Sequence, residues 1–356
     1  MSVPRQHSMS TPIPKVGAVR TFAATDRKNW NEFVRQHPEG TVFHLAEWQD
    51  VLREAFGHEP HYLLAERDGK IEGVLPLALV SSALFGRALI STPFCVYGGI
   101  VCSDTNVHRE LTEQACALAR RLDVDYLEMR NRRRQHPDWP AKDLYVTFRK
   151  QIAPEEQANM LAIPRKQRAM VRKGIQKGLK SRTDKDTKDH YALYSESLRN
   201  LGTPVFSRKY LDVLQRVFGD DCEILTVLHE ETPVASVLNL YFRDEVLPYY
   251  GGGGMAARSV AASDFMYWEV MERARRRGLR IFDYGRSKRD TGSFDFKVHW
   301  GFEPEPLYYE YYLVRSPDMP NLSPTNPKYA RAIRLWQRMP LWLTQWIGPR
   351  VAGYLG

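Results

Sequence analysis

The stretch FDYGRSKRDTGSFDFKVHWG, residues 282–301, gathers the side chains best suited to chemistry. An apolar run ends in Asp283 and Tyr284. A turn follows with Arg286, Ser287, Lys288 and Arg289, and a second aromatic run sets Lys297 between Phe296 and Trp300. Cations in the seam between two strand-like runs are expensive to bury unless an anion answers them. Transfer of an acyl group to an amine or hydroxyl needs a deprotonated nucleophile, a stabilised oxyanion and a proton for the leaving group. Asp283 and Tyr284 are placed to orient or deprotonate the nucleophile. Arg286 and Lys297 are placed to hold a phosphate or carboxylate, or to neutralise developing charge, with Ser287 and Trp300 as substrate contacts. Read as a strand, the second run alternates, so that Phe296 and Val298 face one way and Asp295 and Lys297 the other. The same residues also suit plain ion pairs, Arg286 with Asp283 or Lys297 with Asp295.

Two further patterns invite an anion. RKQRAMVRKGIQKGLKS (165–181) reads as a helix on which, at about 100° per residue, Lys166, Lys173, Lys177 and Lys180 cluster on one face while Val171, Ile175 and Leu179 form an apolar stripe. Arg165, Arg168 and Arg172 border that stripe, where a guanidinium can grip a phosphate with two hydrogen bonds. Residues 165–188 hold ten Lys/Arg against Asp184 and Asp186. The segment is either a phosphate-contacting face, fitting a nucleotide sugar, a polyprenyl-diphosphate glycan or tRNA, or a solvated cationic face. The run Gly251 to Gly254 lets backbone N–H groups approach a ligand with no Cβ in the way. With Tyr249, Tyr250, Gly251 and Gly252 as contacts it suits the oxyanion of a tetrahedral intermediate; the alternative is a plain turn. The histidines show no metal-ligand spacing, so no metal site is expected.

These residues must be positioned by regular elements. A helix is predicted over 29–56, broken near 37–40. A hairpin turning at Asp68-Gly69 follows, then a strand RALIST, a glycine turn at Tyr97-Gly98-Gly99, a helix from about Arg109 to Arg121 and a strand DYLEMR. The order returns as a hairpin turning at Glu230-Glu231, a strand EVLPYYGGGG, a helix SDFMYWEVMERARRRG stopping at Gly278 and a strand LRIFDYG. The offset between corresponding segments stays within about 155–162 positions, which implies two copies of one α+β unit with a mixed sheet. A Rossmann sheet would need more βαβ crossovers and a G-x-G-x-x-G turn, which is missing. The expected division is a flexible segment over 1–24, a first domain over 25–160, a second domain over 161–315 opened by the basic helix, and an amphipathic tail over 316–356. In that tail Lys328, Arg331, Arg334 and Arg338 share one helix side and Tyr329, Ile333 and Trp336 another, followed by Leu341, Trp342, Leu343, Trp346 and Ile347. Such a pattern suits a membrane interface, or packing back onto the body.

The bulk numbers frame this reading. With 43% hydrophobic and 26% charged residues the chain is a folded protein, neither disordered nor fibrous. A net charge of +9 favours a polyanionic partner. Four cysteines without CxxC or Cys/His spacing argue against a zinc site and a disulfide framework, and read as core thiols in a reducing compartment. No apolar run reaches the length of a membrane span, and residues 1–20 hold no signal-peptide core, so a cytoplasmic location is expected.

The element order resembles that of the GNAT acyltransferase fold. Two copies in one chain resemble the FemAB family, which carries amino acids from aminoacyl-tRNA onto cell-wall precursor peptides. The 165–181 segment looks like the basic helix that opens the second Fem domain. YYGGGGMAARSVAASDFMYWEVMERARRRGLRIFDYG looks like that domain's strand, glycine turn, helix and strand, and TGSFDFKVHWGFEPEPLYYEYY like its Gly, Phe-Lys and closing strands. The resemblance covers roughly residues 25–315. GRS, FKVHWG, IGP and the final LG are similar to FemAB-related proteins of exopolysaccharide and PEP-CTERM protein-sorting loci. The resemblance implies two tandem GNAT-like domains and an acyl- or aminoacyltransferase acting on an anionic cell-envelope precursor, related to exopolysaccharide or peptidoglycan. It implies no tightly bound cofactor and an activated donor that is aminoacyl-tRNA or acyl-CoA, while the cations and tryptophans of the tail suit peripheral contact of residues 326–356 with the inner membrane face. The chain also departs from the family. The coiled-coil arm has no counterpart, YGGIVCSD has Cys102 where Fem enzymes place an Asp, with Asp104 two residues on, and the acetyl-CoA pyrophosphate motif Arg/Gln-x-x-Gly-x-Gly/Ala is missing. Alternative readings are a non-catalytic GNAT-like module binding an anionic glycan or nucleic acid, and an acyl-CoA-dependent N-acetyltransferase. The first copy has DYLEMRNRRRQHPDW in place of 282–301, with no Phe-Lys run after it, so the second copy is the expected site.

Overall fold

A computed structural model describes residues 18–82, 86–320 and 330–354. Most of the 1–24 segment, together with Lys328 and Tyr329 of the tail, lies outside the described residues. Both expected hairpins form. Leu63–Arg67 and Lys70–Leu75 turn at Asp68 (φ 50) and Gly69 (φ 74), while Cys222–His229 and Thr232–Phe242 turn at Glu230 (φ 48) and Glu231 (φ 63). Two successive left-handed residues match the twist of the flanking strands.

Each hairpin is followed by the same crossover. In the first half, strand Gly86–Ser91 leads through helix Thr105–Arg121 to Tyr126–Asn131, which pairs parallel to it. In the second half, strand Glu245–Gly253 leads through helix Ala262–Arg276 to the parallel Ile281–Asp283. The other strand pairs among the described residues are antiparallel. One parallel pair per half, each spanned by a helix, makes the chain a tandem α+β protein. The first crossover helix starts at Thr105, earlier than expected, because the Asp104 carboxylate accepts from the Asn106 and Val107 N–H groups at 2.8 and 3.0 Å and caps it.

Sheet pairing crosses the expected division at 160/161 in both directions. Strand Tyr145–Gln151 pairs with Ile281–Asp283, Ser287–Lys288 and Pro304–Pro306 in the second sheet. Strand Tyr308–Leu313 returns to pair with Tyr126–Asn131 and Ala141–Lys142 in the first. Each half has its own apolar core, and a further core joins them, with Trp30, Phe43 and Trp48 from the first half packed in one cluster with Tyr210, Leu214 and Leu247 from the second. Burying these large side chains across the seam favours one fixed arrangement of the halves.

Two expected local structures are corrected. Residues 292–299 form the helix Gly292–His299 rather than a strand. Thr291 caps it by accepting from the Phe294 N–H at 3.4 Å, and Gly301 ends it at φ 79, a conformation glycine adopts without strain. Lys297 and Trp300, three residues apart, therefore share the buried side. The glycines expected in a turn lie instead inside strand Glu245–Gly253 up to Gly253.

The tail forms helices Ala330–Arg338 and Leu341–Ala352. They dock on helix Lys188–Leu201, with Gln337 Nε2 donating to the Asn200 carbonyl at 3.2 Å and Gln345 Nε2 to Ser195 Oγ at 2.8 Å. Thr344, Gly348 and Ala352 are buried, and Leu335, Trp342 and Trp346 remain exposed on the outer side. No helix among the described residues is long and apolar enough to cross a membrane.

Candidate active site

The parallel strands of the second half part almost at once. Glu245 pairs with Ile281 and Val246 with Phe282, after which Glu245–Gly253 runs on without that neighbour. Just past the parting, its pairing with Thr232–Phe242 shifts register: Asn239 faces Pro248 and Leu238 faces Tyr250, so Tyr249 is the extra residue of a β-bulge. A bulge leaves its extra residue out of the ladder and re-aims nearby groups. The Tyr249 and Tyr250 rings lie side by side, tilted by 36°, with centroids 4.1 Å apart. The Tyr249 hydroxyl donates to the Phe94 carbonyl at 2.9 Å, and the Tyr250 hydroxyl meets that of Tyr210 at 3.1 Å.

The four candidate catalytic residues meet around this parting; Arg286 lines a cavity of about 60 Å³ and Asp283 a smaller one of about 10 Å³. Asp283 is 1% exposed. Its carboxylate accepts from Tyr97 Oη at 3.0 Å, from the Gly285 N–H at 2.8 Å and from Thr147 Oγ1 at 3.5 Å, and its ion-pair partner is Arg149 at 3.7 Å, not Arg286. It ties the two halves together. Tyr284 points the other way, among Tyr267, Phe282 and Phe302. Burial holds its phenol well above the usual range, and its hydroxyl has no partner among the described residues. The expectation that Asp283 and Tyr284 deprotonate a nucleophile is corrected, because one is enclosed and fully engaged and the other stays protonated.

Lys297 donates to the carbonyls of Tyr284, Gly285 and Arg286 at 2.7, 3.1 and 3.1 Å, which uses all three ammonium donors. Burial first, with Arg286 adding to it, pulls the amine down to about 7 while Asp283 opposes the shift. It makes no ion pair with Asp295 among the described residues; it fixes the backbone that carries Arg286. Arg286 itself is half-buried, with one edge on a cavity. Its Nη1 donates to Tyr309 Oη at 2.9 Å, and its guanidinium carbon lies 4.9 Å from the Tyr145 ring centre. No carboxylate pairs with it among the described residues.

That cavity, of about 60 Å³, lies between the first sheet and Arg286. Tyr126, Glu128 and Arg130 line it from one strand and Tyr309 and Tyr311 from its neighbour, with Lys142 and Tyr145 beside them and Val80 and Ile90 as apolar wall. Glu128 and Arg130 are paired at 2.7 Å, so they cancel each other. Lys142 and Lys288 make no ion pair among the described residues. Burial, then Arg286 and Lys142, push Lys288 down to about 8, and burial also lowers Lys142.

The remaining candidates are dispersed. Ser287 is buried with its hydroxyl unpartnered among the described residues. Trp300 is fully buried and donates to Asp264 Oδ1 at 3.0 Å, which makes it a core residue and not a substrate contact. At Gly252 a Cβ would stand 2.7 Å from Tyr194 Cα, so the glycine admits helix Lys188–Leu201 rather than a ligand, and at Gly251 it would meet the Tyr267 hydroxyl at 3.0 Å. The basic helix is Arg165–Gln176. It docks through Val171 and Gly174, whose Cβ would come 2.8 Å from Phe265 Cβ, while Ile175, expected in the apolar stripe, is exposed. Arg165, Lys166, Arg172 and Lys177 are exposed, Arg168 and Lys173 half-buried, and none of the six lines the cavity. Sequence reasoning missed Lys142, Tyr145, Tyr309 and Tyr311. The alternation of Tyr309 and Tyr311 in LYYEYY marked one strand face, but nothing local placed that face opposite Arg286.

Comparison with known proteins supports the architecture. Residues 165–298 match the family described as acetyltransferase (GNAT) domain. No curated protein matches the sequence. Among solved structures, FemX is similar at 14% identity, covering 89% of this chain and all of its own, with a TM-score of 0.66. A tandem GNAT protein from the clavulanic acid biosynthesis pathway matches at 15% identity, over 85% of this chain and 99% of its own, TM-score 0.53. L-PGS from Bacillus licheniformis matches at 12% identity, over 88% of this chain and 98% of its own, TM-score 0.52. The chain thus has a FemAB-like tandem GNAT fold.

Proposed function

We propose that the protein is an acyl- or aminoacyltransferase that acts on a cell-envelope precursor, related to exopolysaccharide or peptidoglycan, by direct attack of an acceptor amine or hydroxyl on an activated carbonyl. The observation that carries this reading is the early parting of the parallel strands beside the Tyr249 bulge, with Arg286 facing open space next to it. Main-chain N–H groups at a bulge are preorganised donors for the oxyanion of a tetrahedral intermediate. The nucleophile forms the new bond to the carbonyl carbon and loses a proton. The bond from that carbon to the donor's oxygen or sulfur breaks, and the leaving atom gains a proton.

Aminoacyl-tRNA is the donor we favour. The exposed cations of helix Arg165–Gln176 suit a polyanion, and the loop before helix Ala262–Arg276 buries Val260 and Ala261 where a glycine cradle would admit a CoA pyrophosphate. Peripheral docking at the membrane face belongs to the same reading. Residues 330–354 carry Arg331, Arg334, Arg338 and Arg350 with no Asp or Glu, next to exposed Trp342 and Trp346. A second reading, a non-catalytic module that binds an anionic glycan or nucleic acid, is favoured by one observation: Asp283, Tyr284 and Lys297 are all committed inside the fold.

The deciding experiment is mass spectrometry of envelope polymers from cells lacking the protein, complemented with the wild type or with Arg286→Gln. An acyl or aminoacyl increment that needs the wild type and is lost in the variant is expected. Polymers of identical mass in all three strains would sink the transferase reading.

A further inference from the structure

The cavity beside Arg286 is closed in part by the tail, since Tyr354 stands on its lining together with Arg286 and Tyr145. Helix Leu341–Ala352 brings it there and is seated on both halves. Gln345 ties the helix to Ser195 Oγ in the second half, and at its far end His58 Nε2 of the first half donates to the Gly353 carbonyl at 2.8 Å, with the Tyr354 ring edge-on to His58 at 6.1 Å. Between these contacts Gly348 lies so close that a Cβ would stand 2.8 Å from the Val205 carbonyl oxygen. The next residue, Phe206, has the Phe94 and Tyr250 rings 5.5 and 5.7 Å away, so the seat is continuous with the aromatic cluster at the Tyr249 bulge. The seat is tight in shape and poor in apolar content. Thr344, Gly348 and Ala352 are the side buried in it, whereas Trp342 and Trp346 are 68% and 59% exposed. The two indoles, four residues apart, share one helix face, and Arg350 extends it, its guanidinium 4.2 Å from the Trp346 ring centre. Inside the helix stand Gly348 and Pro349, the two weakest helix formers, and Pro349 has no N–H for the Gln345 carbonyl, so this short helix depends on what it lies against.

We propose that this segment is a strap over the cavity and that an anionic lipid surface lifts it. A surface shifts such an equilibrium only if it binds the lifted form better than the seated one. Seated, the strap offers the surface its two indoles and its arginines. Lifted, it also offers Leu341, Leu343, Ile347 and Val351, which are half-buried while it is seated, and gives up a seat filled by small side chains. Arg331, Arg334, Arg338 and Arg350, with no Asp or Glu among residues 330–354, select anionic headgroups over zwitterionic ones. Lifting takes Tyr354 off the lining, so access to Arg286 is gained at the lipid surface and not in free solution. The strap deepens the transferase reading by assigning regulation to the same cavity, and rests on that reading only for calling the cavity a substrate site.

The test follows alkylation by iodoacetamide in the full chain carrying Val80→Cys, a position that lines the cavity and is 5% exposed, read there by peptide mass spectrometry. Labelling is expected to be slow in solution and with phosphatidylcholine vesicles, and about tenfold faster with phosphatidylglycerol vesicles. Adding Gly348→Ala, whose methyl has no room against Val205, should speed labelling by about tenfold without any vesicle. Adding Trp342→Ser with Trp346→Ser should keep the rate in solution and lose the response to lipid. Hydrogen exchange of the unsubstituted chain gives a second reading, in which peptides around His58 and Val205 should lose protection with phosphatidylglycerol alone. Flotation with phosphatidylglycerol vesicles while labelling and exchange stay unchanged would make the tail a plain anchor and overturn the strap, and an equal response to both lipids would overturn it as well. A response to lipid in a protein that leaves envelope polymers unaltered keeps the strap and removes the enzyme; altered polymers with no response to lipid do the reverse.

Discussion

Arg286→Met offers a measurement whose sign separates a ligand-facing arginine from a structural one. Breaking a buried ion pair by removing one partner costs about 3–5 kcal/mol, because a charge is left unanswered. Arg286 has no such partner among the described residues, so its removal strands nothing of opposite sign. What is lost is one hydrogen bond to Tyr309 Oη at 2.9 Å, about 1.5–3 kcal/mol for a charged donor, and the contacts with the Tyr145 and Tyr309 rings at 4.9 and 5.7 Å, about 0.5–2 kcal/mol. Tyr309 keeps its own bond to the Val96 carbonyl at 2.9 Å. What is relieved is the desolvation of an uncompensated guanidinium, on the order of several kcal/mol. The two sides nearly cancel, and the variant should lie within about 1–2 kcal/mol of the wild type, on the stable side of zero if the relief wins. Urea unfolding followed by tryptophan fluorescence reads this as little change in midpoint. Repeated in saturating sulfate, the wild type should move up by about 2–3 kcal/mol at a hundredfold excess over its dissociation constant, while the variant should not move. A loss above about 3 kcal/mol without anion would refute the reasoning and make Arg286 a structural cation.

Two other outcomes follow from the same geometry. Sulfate stays a dianion across neutral pH, so its affinity reports the protein alone. Lys288, facing Arg286, Lys142 and the Tyr145 ring, is charged only below about 8, so sulfate affinity should fall by about tenfold as pH rises from 6.5 to 9; a flat profile, or one that Lys288→Gln leaves unchanged, would contradict the assignment. Trp342→Ser with Trp346→Ser changes two exposed side chains, so stability should stay within about 0.5 kcal/mol per site while flotation with anionic vesicles is lost; equal flotation of the double variant would remove the membrane contact.

Local chemistry made much of the fold legible. Asp68-Gly69 and Glu230-Glu231 announced their hairpins because a two-residue turn needs left-handed backbone that few residue types accept. The crossover helices could be read from apolar spacing, and the repeated order of elements revealed two copies of one unit. The run 292–299 misled because alternating aromatics imitate a strand. The signal for a helix was present in Thr291 as a capping residue and in the spacing of Lys297 and Trp300. At the site, Arg286 was legible as a cation that needs explaining, but Lys297 was indistinguishable from it in sequence. Lys297 donates to three carbonyls of the preceding turn, and Arg286 meets tyrosines of strands Tyr145–Gln151 and Tyr308–Leu313.

The sequence by itself determined the two hairpins and the two crossover helices, that the chain holds two copies of one α+β unit, and that residues 282–301 crowd cations beside a strand end. These properties depend on neighbours within a few residues, and the physics of turns, caps and periodicity acts at that range. Only the tertiary structure decided that strands Tyr145–Gln151 and Tyr308–Leu313 pair across the expected division, so that Tyr145 and Tyr309 close around Arg286. It also decided that the Asp283 carboxylate accepts from Tyr97 and that Glu128 pairs with Arg130. Whether a charge is available for a ligand depends on what surrounds it in space, and for Asp283 and Tyr309 those partners include residues more than a hundred positions away along the chain.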